Sequence, residues 1–475
     1  MYNYIRQYPE DREMGWSEEV NGVCHDDNNW FFTQNGYLWK FPITHRISST
    51  CKTPDVDINN EGVVTVNNTK RQIYRRSTWI YKKVTLGNGA KMPGMKIPDV
   101  PINHMHMGDI DHHNGYIFVP AYEDSGTKKC RIMVFRASDL SLVSEQYIKR
   151  EDGKEFSSLA WLAINPNNGM LYTSDKHISS TYSNGNSRIQ IYKIGDVTKS
   201  NALTFHSSAC IYDEYSAVLD REHLQGGCFD DNNHLHINNG YYEGLDSSLN
   251  WHSSYANTKG GISVFKVSSN PVKGGCEHFY RIAHSNQSSG FRYQFNGQYE
   301  EPEGITYWDL DKDRRGYEVN DKKLEGQLHA IMLDNAGSDD DDFFFKHYRR
   351  NFNSRFYQVA FKTGTVDGAG TNADLYITFY GSKGTSSEYW VGDNPSKDDL
   401  EKGNLDYYMV EITEDVGTLN KIKIRSNNKG KGSAYYLDYV EVTDIEAYRR
   451  YTFPCNNWLA SDKSDKKLSR ILSAK

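Results

Sequence analysis

Six polar or aromatic residues in the first two thirds of the chain could form one cation site or polar-ligand site. They are His106, Asp109, Trp161, Gln225, Glu301 and Glu303. Imidazole, carboxylate and amide groups are the ligands that divalent cations accept in proteins, and a few converging polar groups are typical of a binding pocket. The alternative is that these side chains hydrogen-bond the backbone of their own strands and water. The site therefore depends on whether the elements that carry these residues begin around one axis.

Those elements belong to a repeated pattern. Residues 22–32 and 226–236 share the sequence Gly-x-Cys-x-Asp-Asp-Asn-Asn, and residues 108–118, 162–172 and 303–309 follow the same template. Each repeat has a short apolar strand, a polar turn and a second apolar strand, and a third strand usually follows. Strand meanders repeated around an axis are typical of a β-propeller. The N-terminal part therefore resembles a β-propeller over residues 10–345, which places the six candidate residues at the mouth of its axial channel.

The number of blades is open between five and six. The widest gap between repeats holds the apolar runs 61–66 and 78–84, which could supply a sixth blade. Two pairs of histidines, His104 with His106 and His234 with His236, have the i, i+2 spacing that puts both rings on one face of a strand. Zinc accepts such pairs, but each pair needs a third ligand from elsewhere, so we favour a structural role for them.

The C-terminal quarter of the chain contains a series of ordered motifs. An alternating run over 357–362 leads into the glycine-rich loop Thr-Gly-Thr-Val-Asp-Gly-Ala-Gly-Thr-Asn-Ala at 363–373, and a second alternating run covers 374–380. Further motifs follow at 400–408, 415–424, 435–442 and 453–459. In this order they resemble a PLAT/LH2 domain, the β-sandwich attached to lipases, lipoxygenases and some toxins. The resemblance covers residues 355–461 and leaves a polar tail at 462–475, for which we expect a short helix or disorder.

The resemblance implies a possible calcium site between two loops and aromatic side chains that face a lipid or a protein. The residues that match the calcium-binding loops are Thr363, Asp367, Gly368, Asn372 and Asn427. The family usually carries an aspartate in the second loop, where this chain has Asn427 and Asn428. Because calcium affinity depends on ligand charge, we expect a weak or optional site. Tyr389, Trp390 and Val391 form the candidate docking segment, with Trp390 as an interfacial anchor; the alternative is that Trp390 caps the core of the sandwich.

Composition and missing motifs limit the function classes. The net charge is −7 and no basic block is present, so nucleic acid is not an expected partner. No run of 18 apolar residues and no secretory signal occurs in the chain as given, which predicts a soluble protein that is cytoplasmic or secreted by another route. The GxSxG, HExxH and P-loop signatures are absent.

The fold class that we predict is all-β, with a five- or six-bladed β-propeller followed by a PLAT/LH2 β-sandwich. The predicted function is that of a binding protein. Its PLAT domain docks on a lipid surface or membrane protein, its propeller recognises an unknown second ligand, and a toxin-like or host-directed role would fit. The alternatives are a metal-assisted hydrolase or lactonase, with Glu303, Asp109 and His106 around a divalent cation, and a scaffold that binds protein only. The missing nucleophile motifs favour binding over catalysis.

Overall fold

A computed structural model provides the structure of the protein. The description concerns residues 2–11, 20–34, 37–43, 57–58, 63–66, 69–72, 80–83, 106–122, 130–178, 188–213, 218–240, 260–283, 301–312, 318–319, 322–323, 325–334, 342–350, 355–391, 398–444, 447 and 449–475. Two compact units make up the chain. The first comprises residues 2–213 and 218–350, and the second contains residues 351–475.

The first unit contains β-strands and one short helix. They are β1 (Tyr2–Asp11), β2 (Val20–His25), β3 (Asn29–Gln34), β4 (Tyr37–Pro42), β5 (Asp57–Ile58), β6 (Val63–Val66), β7 (Thr69–Gln72), β8 (Ile80–Lys83), β9 (His106–Met107), β10 (Asp111–His113), β11 (Tyr116–Tyr122), β12 (Arg131–Arg136), β13 (Leu142–Gln146), β14 (Ala163–Ile164), β15 (Met170–Thr173), β16 (Arg188–Ile194), β17 (Leu203–Cys210), β18 (Leu224–Phe229), β19 (His234–Asn239), β20 (Gly261–Val267), α1 (Pro271–Gly274), β21 (Cys276–Ala283), β22 (Glu301–Tyr307), β23 (Glu318–Val319), β24 (Lys322–Lys323), β25 (Leu328–Asp334) and β26 (Asp342–Arg350).

Most of these strands form five antiparallel four-stranded paths. Their orders are β2-β3-β4-β8, β10-β11-β12-β13, β14-β15-β16-β17, β18-β19-β20-β21 and β22-β25-β26-β1, and β9 also pairs with β11. The first strands β2, β10, β14, β18 and β22 contact one another in this order, and β22 returns to contact β2. The five sheets therefore surround one axis, which is the geometry expected of propeller blades. The all-β class is confirmed.

The segment that we considered for a sixth blade is divided between two sheets. Ile80–Lys83 is the outer strand of the first four-stranded sheet, and Val63–Val66 is the middle strand of a separate sheet of the order β5-β6-β7. The described residues thus contain five four-stranded paths around the axis.

Apolar side chains of neighbouring sheets pack against each other to form the cores of this unit. One core joins the first sheet to the last, with Trp30 and Trp39 packed in the same cluster as Ile331 and Phe345. Alternation of apolar and polar residues at period two produces such faces, because successive side chains point to opposite sides of a strand.

The last sheet is completed by the N-terminal strand. β1 runs antiparallel to β26, with Tyr2 opposite Arg350 and Asp11 opposite Phe343. We predicted that the propeller starts at residue 10, but most of β1 lies before that residue. The sequence did not indicate this strand because it does not belong to the repeated pattern. The aromatic segment near 345 is the paired strand β26, and Phe343, Phe344 and Phe345 are fully buried.

The second unit is a sandwich of two antiparallel sheets. Its strands are β27 (Arg355–Thr363), β28 (Leu375–Gly381), β29 (Tyr389–Trp390), β30 (Leu405–Ile412), β31 (Leu419–Ser426), β32 (Tyr435–Asp444), β33 (Arg449–Leu459) and β34 (Ser469–Ser473). The sheet orders are β30-β27-β32-β33 and β29-β28-β31-β34. Val359 and Phe361 of one sheet share a core with Ile377 and Phe379 of the other.

The expectation of a helix or disorder in the polar tail is wrong for Ser469–Ser473. This segment is the edge strand β34, paired with β31, and Leu472 is buried in the sandwich core. An edge strand needs only its backbone partners and one apolar contact, so a polar composition does not exclude it.

Candidate functional sites

Asp109 lies between the first strands of several sheets of the ring. Its side chain is fully buried. Oδ1 accepts hydrogen bonds from the backbone N–H groups of Val23 at 2.9 Å and Ile110 at 3.0 Å. Oδ2 accepts from those of Gly227 at 2.8 Å and Ile305 at 3.1 Å. One carboxylate therefore connects β2, β18 and β22 to the start of the second sheet, and we call this arrangement the axial clamp.

The ionisation of Asp109 is subject to two opposing effects. Burial raises the pKa of its carboxyl group well above the usual value, and the four backbone N–H donors, which lower the pKa, offset only part of this rise. The donors occupy all four lone-pair positions of the two oxygens, so no acceptor or open position remains for an added proton. The four hydrogen bonds therefore favour the ionised carboxylate, in opposition to the effect of burial.

The strands around the clamp leave no room for larger side chains. A Cβ atom added at Gly304 would lie 2.6 Å from Asp109 Oδ1, and one added at Gly227 would lie 2.3 Å from a ring carbon of Trp161. Trp161 is fully buried, and its Nε1 donates a hydrogen bond to Ser174 Oγ at 3.0 Å. Trp161 is thus a core residue at this level of the ring.

Gln225, Glu301 and Glu303 are brought together beside the clamp. Gln225 Nε2 lies 2.9 Å from Glu301 Oε1 and 2.7 Å from Glu303 Oε1, and it also donates to the carbonyl oxygen of Pro302 at 3.1 Å. All three side chains are buried. Two carboxylates that share one amide repel each other unless a proton or a cation lies between them. We call these three residues the carboxylate cluster.

The pKa of Glu303 in the carboxylate cluster depends partly on Lys176, a residue that the sequence analysis did not identify. Burial and the neighbouring Glu301 carboxylate raise the pKa of Glu303 well above its usual value, and the positive charge of Lys176 lowers it. Lys176 Nζ also lies 5.9 Å from the centre of the Tyr122 ring, and His106 stacks on that ring at a centroid distance of 5.5 Å. His106 therefore contacts Tyr122, and Lys176 lies against the same ring. Neither Tyr122 nor Lys176 belongs to a recognisable motif.

The structure describes both members of only one of the two histidine pairs. His104 lies outside the described residues. His234 and His236 are buried in β19, and His234 Nδ1 lies 3.0 Å from both carboxylate oxygens of Asp230. Within the described ranges, no three His, Cys, Asp or Glu side chains are grouped so that they could hold a metal ion.

We expect Glu303→Gln to lower the content of any divalent cation that the carboxylate cluster retains. The substitution removes one anionic ligand but keeps the shape of the side chain, and hard-cation sites weaken when a carboxylate is lost. Metal analysis after dialysis, on the native protein and the variant, measures the difference. The matched control is Glu411→Gln, at an exposed position of β30. Equal metal content in the native protein and in Glu303→Gln would contradict a metal at this cluster.

The residues nominated for calcium occupy one end of the sandwich, and three of them, Thr363, Asp367 and Asn427, already have side-chain partners. The Thr363 hydroxyl is buried within 3.1 Å of the Tyr435 hydroxyl. The exposed Asp367 carboxylate forms an ion pair with Lys402 Nζ at 2.6 Å, and this lysine lowers the pKa of Asp367. Asn427 Nδ2 donates to Asp374 Oδ2 at 2.5 Å.

The donor set in this arrangement does not fit a calcium ion. Calcium takes six to eight oxygen ligands, whereas Asp367 faces an ammonium group and Asn427 turns its N–H₂ group toward the neighbouring carboxylate. Gly368, which has a φ of 73°, and Asn372 are both exposed at the surface of the loop. Asp374 was not nominated from the sequence, because it stands at the start of an alternating strand run.

The three docking candidates have three different environments. Trp390 is 54% exposed, Val391 is 4% exposed and belongs to the sandwich core, and Tyr389 is intermediate. The Tyr389 hydroxyl donates to Glu414 Oε2 at 2.5 Å. Trp390 is therefore presented to solvent between two neighbours that are fixed in place.

The family-model match to this chain lies in the second unit. A family model described as the PLAT/LH2 domain matches residues 357–473. Human lipoxygenase homology domain-containing protein 1 is 40% identical over 114 residues, which is 24% of this chain and 5% of that protein. Human polycystin-1-like protein 3 is 34% identical over 115 residues, 24% of this chain and 7% of that protein. Human polycystin family receptor for egg jelly is 25% identical over 159 residues, 34% of this chain and 6% of that protein.

The chain thus spans less than a tenth of the length of these curated relatives. In the part of the chain that the structure describes, no helix is both long enough and apolar enough to cross a bilayer.

Proposed function

We propose that this protein, whose residues 357–473 are a PLAT/LH2 domain, is a binding protein that docks through this domain on a lipid surface or a membrane protein. The ring of five sheets then recognises a second ligand. The observation that carries the proposal is the exposed indole of Trp390 on the edge strand β29.

The setting of Trp390 supports a role as an anchor. An indole at an interface buries apolar area while its N–H group stays in contact with water. Tyr389 is tied to Glu414, and Val391 is held in the core, so the backbone on both sides of Trp390 is fixed. A fixed anchor loses little conformational freedom on binding, which favours affinity. The similarity to a human protein that is named a receptor is in keeping with a binding role.

We expect Trp390→Ala to weaken binding to vesicles or to a membrane-protein partner by a few tens-fold. Burying a tryptophan side chain contributes about 2 kcal/mol by area, and every 1.4 kcal/mol is about tenfold in affinity. Co-sedimentation of the full chain with phospholipid vesicles measures the change. The matched control is Phe205→Ala, which removes an aromatic side chain of 46% exposure from the first unit.

Thermal unfolding of the same variants separates binding from stability. Because Trp390 is more than half exposed, the variant should unfold near the temperature of the native protein. Calcium chelation should weaken docking less than Trp390→Ala does, since Asp367 and Asn427 are already paired with other side chains. A large loss of stability with unchanged binding would show that Trp390 is structural and that the docking surface lies elsewhere.

A further inference from the structure

The outward side of the sheet β29-β28-β31-β34 carries a row of cations. In β31, Ile422 and Ile424 point into the core, and Lys421, Lys423 and Arg425 alternate with them on the opposite side. Lys421 is exposed, and the side chains of Lys423 and Arg425 are about one third exposed, at 32% and 33%.

Two exposed apolar side chains lie on the same side of this sheet, on its two edge strands. Tyr376 of β28 is opposite both Trp390 of β29 and Arg425 of β31, and Lys423 is opposite Ile471 of β34. Directly opposed residues of antiparallel strands share a face. Trp390 is 54% exposed and Ile471 is 63% exposed. We call these six residues, Lys421, Lys423, Arg425, Tyr376, Trp390 and Ile471, the basic face.

The charge of the basic face is not balanced by the carboxylate beside it. Glu388 forms ion pairs with Arg425 at 2.7 Å and with Lys423 at 3.4 Å, so one anion is shared by two of the three cations and Lys421 lies outside both pairs. The whole chain has a net charge of −7, and general attraction to an anionic surface is therefore not expected. Any such attraction has to come from a local array of this kind.

The array is held rigidly. The Arg425 guanidinium lies 4.1 Å from the centre of the Tyr376 ring, a stacked arrangement that orients its planar donors. The residues stand on paired strands, so their spacing is fixed by the sheet. Neighbouring strands are about 4.8 Å apart, which puts the Trp390 and Ile471 strands roughly 14 Å from each other.

We infer that the basic face is the contact by which the domain lies flat on an anionic phospholipid surface. The inference rests on the proposed function and names its partner more closely. The apolar side chains stand at opposite edges, with cations between them. This suits a bilayer surface, where anionic headgroups and apolar interior are available at every point. A protein interface instead usually centres on one contiguous buried patch.

A pair of charge-matched triple variants tests the basic face against the loop end of the sandwich. Lys421→Gln, Lys423→Gln and Arg425→Gln together remove three cations from the basic face. Lys402→Gln, Lys429→Gln and Lys431→Gln remove three exposed cations from the loops. The full chain is sedimented with phosphatidylcholine vesicles and with vesicles that also contain phosphatidylserine, at low and high salt, and thermal unfolding is recorded for each variant.

We expect the face variant to lose about a hundredfold in affinity for the phosphatidylserine vesicles at low salt, because each cation near an anionic membrane contributes about 1 kcal/mol. The loop variant should keep most of its affinity for these vesicles. High salt should lower the affinity of the native protein toward that of the face variant, because salt screens exposed charges. Native-like binding by the face variant, with loss by the loop variant, would overturn the inference while the proposed function stands. If the native protein binds neither kind of vesicle, the lipid part of the proposed function and this inference both fail.

Discussion

Replacing Asp109 with asparagine is expected to destabilise the first unit by about 4 kcal/mol. The amide N–H₂ group would face two of the four backbone N–H donors of the axial clamp, so two hydrogen bonds to a charged acceptor are lost. Such bonds are worth about 1.5–3 kcal/mol each, and the donors left behind are buried. Denaturant unfolding of the native protein and the variant measures the difference.

The control for the axial clamp is an aspartate in a solvent-exposed turn. Asp139 accepts a hydrogen bond from the Ser141 N–H at 2.9 Å and is exposed. Because asparagine can accept the same bond through its amide oxygen, Asp139→Asn should change stability by less than about 0.5 kcal/mol. Amide hydrogen exchange gives a second measurement, in which Val23, Gly227 and Ile305 should lose protection in Asp109→Asn. Unchanged stability and unchanged protection would show that the clamp does not hold the ring together.

Acid is expected to destabilise the first unit through its buried histidines. Burial lowers the pKa of His236 from its ordinary value of 6.5 to about 4. The nearby negative charge of Asp230 raises this pKa, whereas His234 and Arg350 lower it further through their charge. Below about pH 6.5 the unfolded chain therefore binds a proton that folded His236 does not take up until about pH 4. The stability contributed by neutral His236 is lost as the pH falls through this window, by up to about 3 kcal/mol.

Paired variants isolate this histidine. His236→Gln removes the buried titrating group, and His206→Gln removes an exposed histidine in β17. Free energies of unfolding at pH 7, 5.5 and 4.5 should fall less steeply in His236→Gln than in the native protein, whereas His206→Gln should follow the native slope. His329 is also buried, His25 is partly buried, and the pKa values of both are lowered, so part of the slope will remain. Identical slopes in all three proteins would contradict the assignment to His236.

The sequence predicted those parts of the fold that repeat or alternate. The shared register of the repeats placed Asp109 and Gly227 at matching positions, and both meet at the axial clamp. Alternation in β27 and β28 predicted the two layers of the sandwich, since Val359 and Ile377 occupy the inward positions. Patterns of this kind depend on neighbours in sequence, so they can be read without knowledge of the partner strands.

Features that depend on distant partners could not be predicted. β1 pairs with β26, more than 300 residues later in the chain, and nothing in the polar sequence of β1 indicates that pairing. Lys176, which follows β15, lowers the pKa of Glu303 in β22. The sequence left open whether Trp390 is exposed or caps the core. In the structure Val391 fills that part of the core, and Trp390 is exposed. Each of these outcomes is decided by packing between elements and not by local pattern.

The pairing of β1 with β26 also determines how the ring would respond to a mechanical load. Tyr2 lies opposite Arg350 at one end of this antiparallel pair, and the register shifts twice between Tyr4 and Glu10. A force that pulls residues 2 and 350 apart would therefore open the hydrogen bonds of the pair one after another, starting from that end, instead of loading them all together. The last sheet would lose its outer strand by peeling, at low force, while the other four sheets keep all their strands.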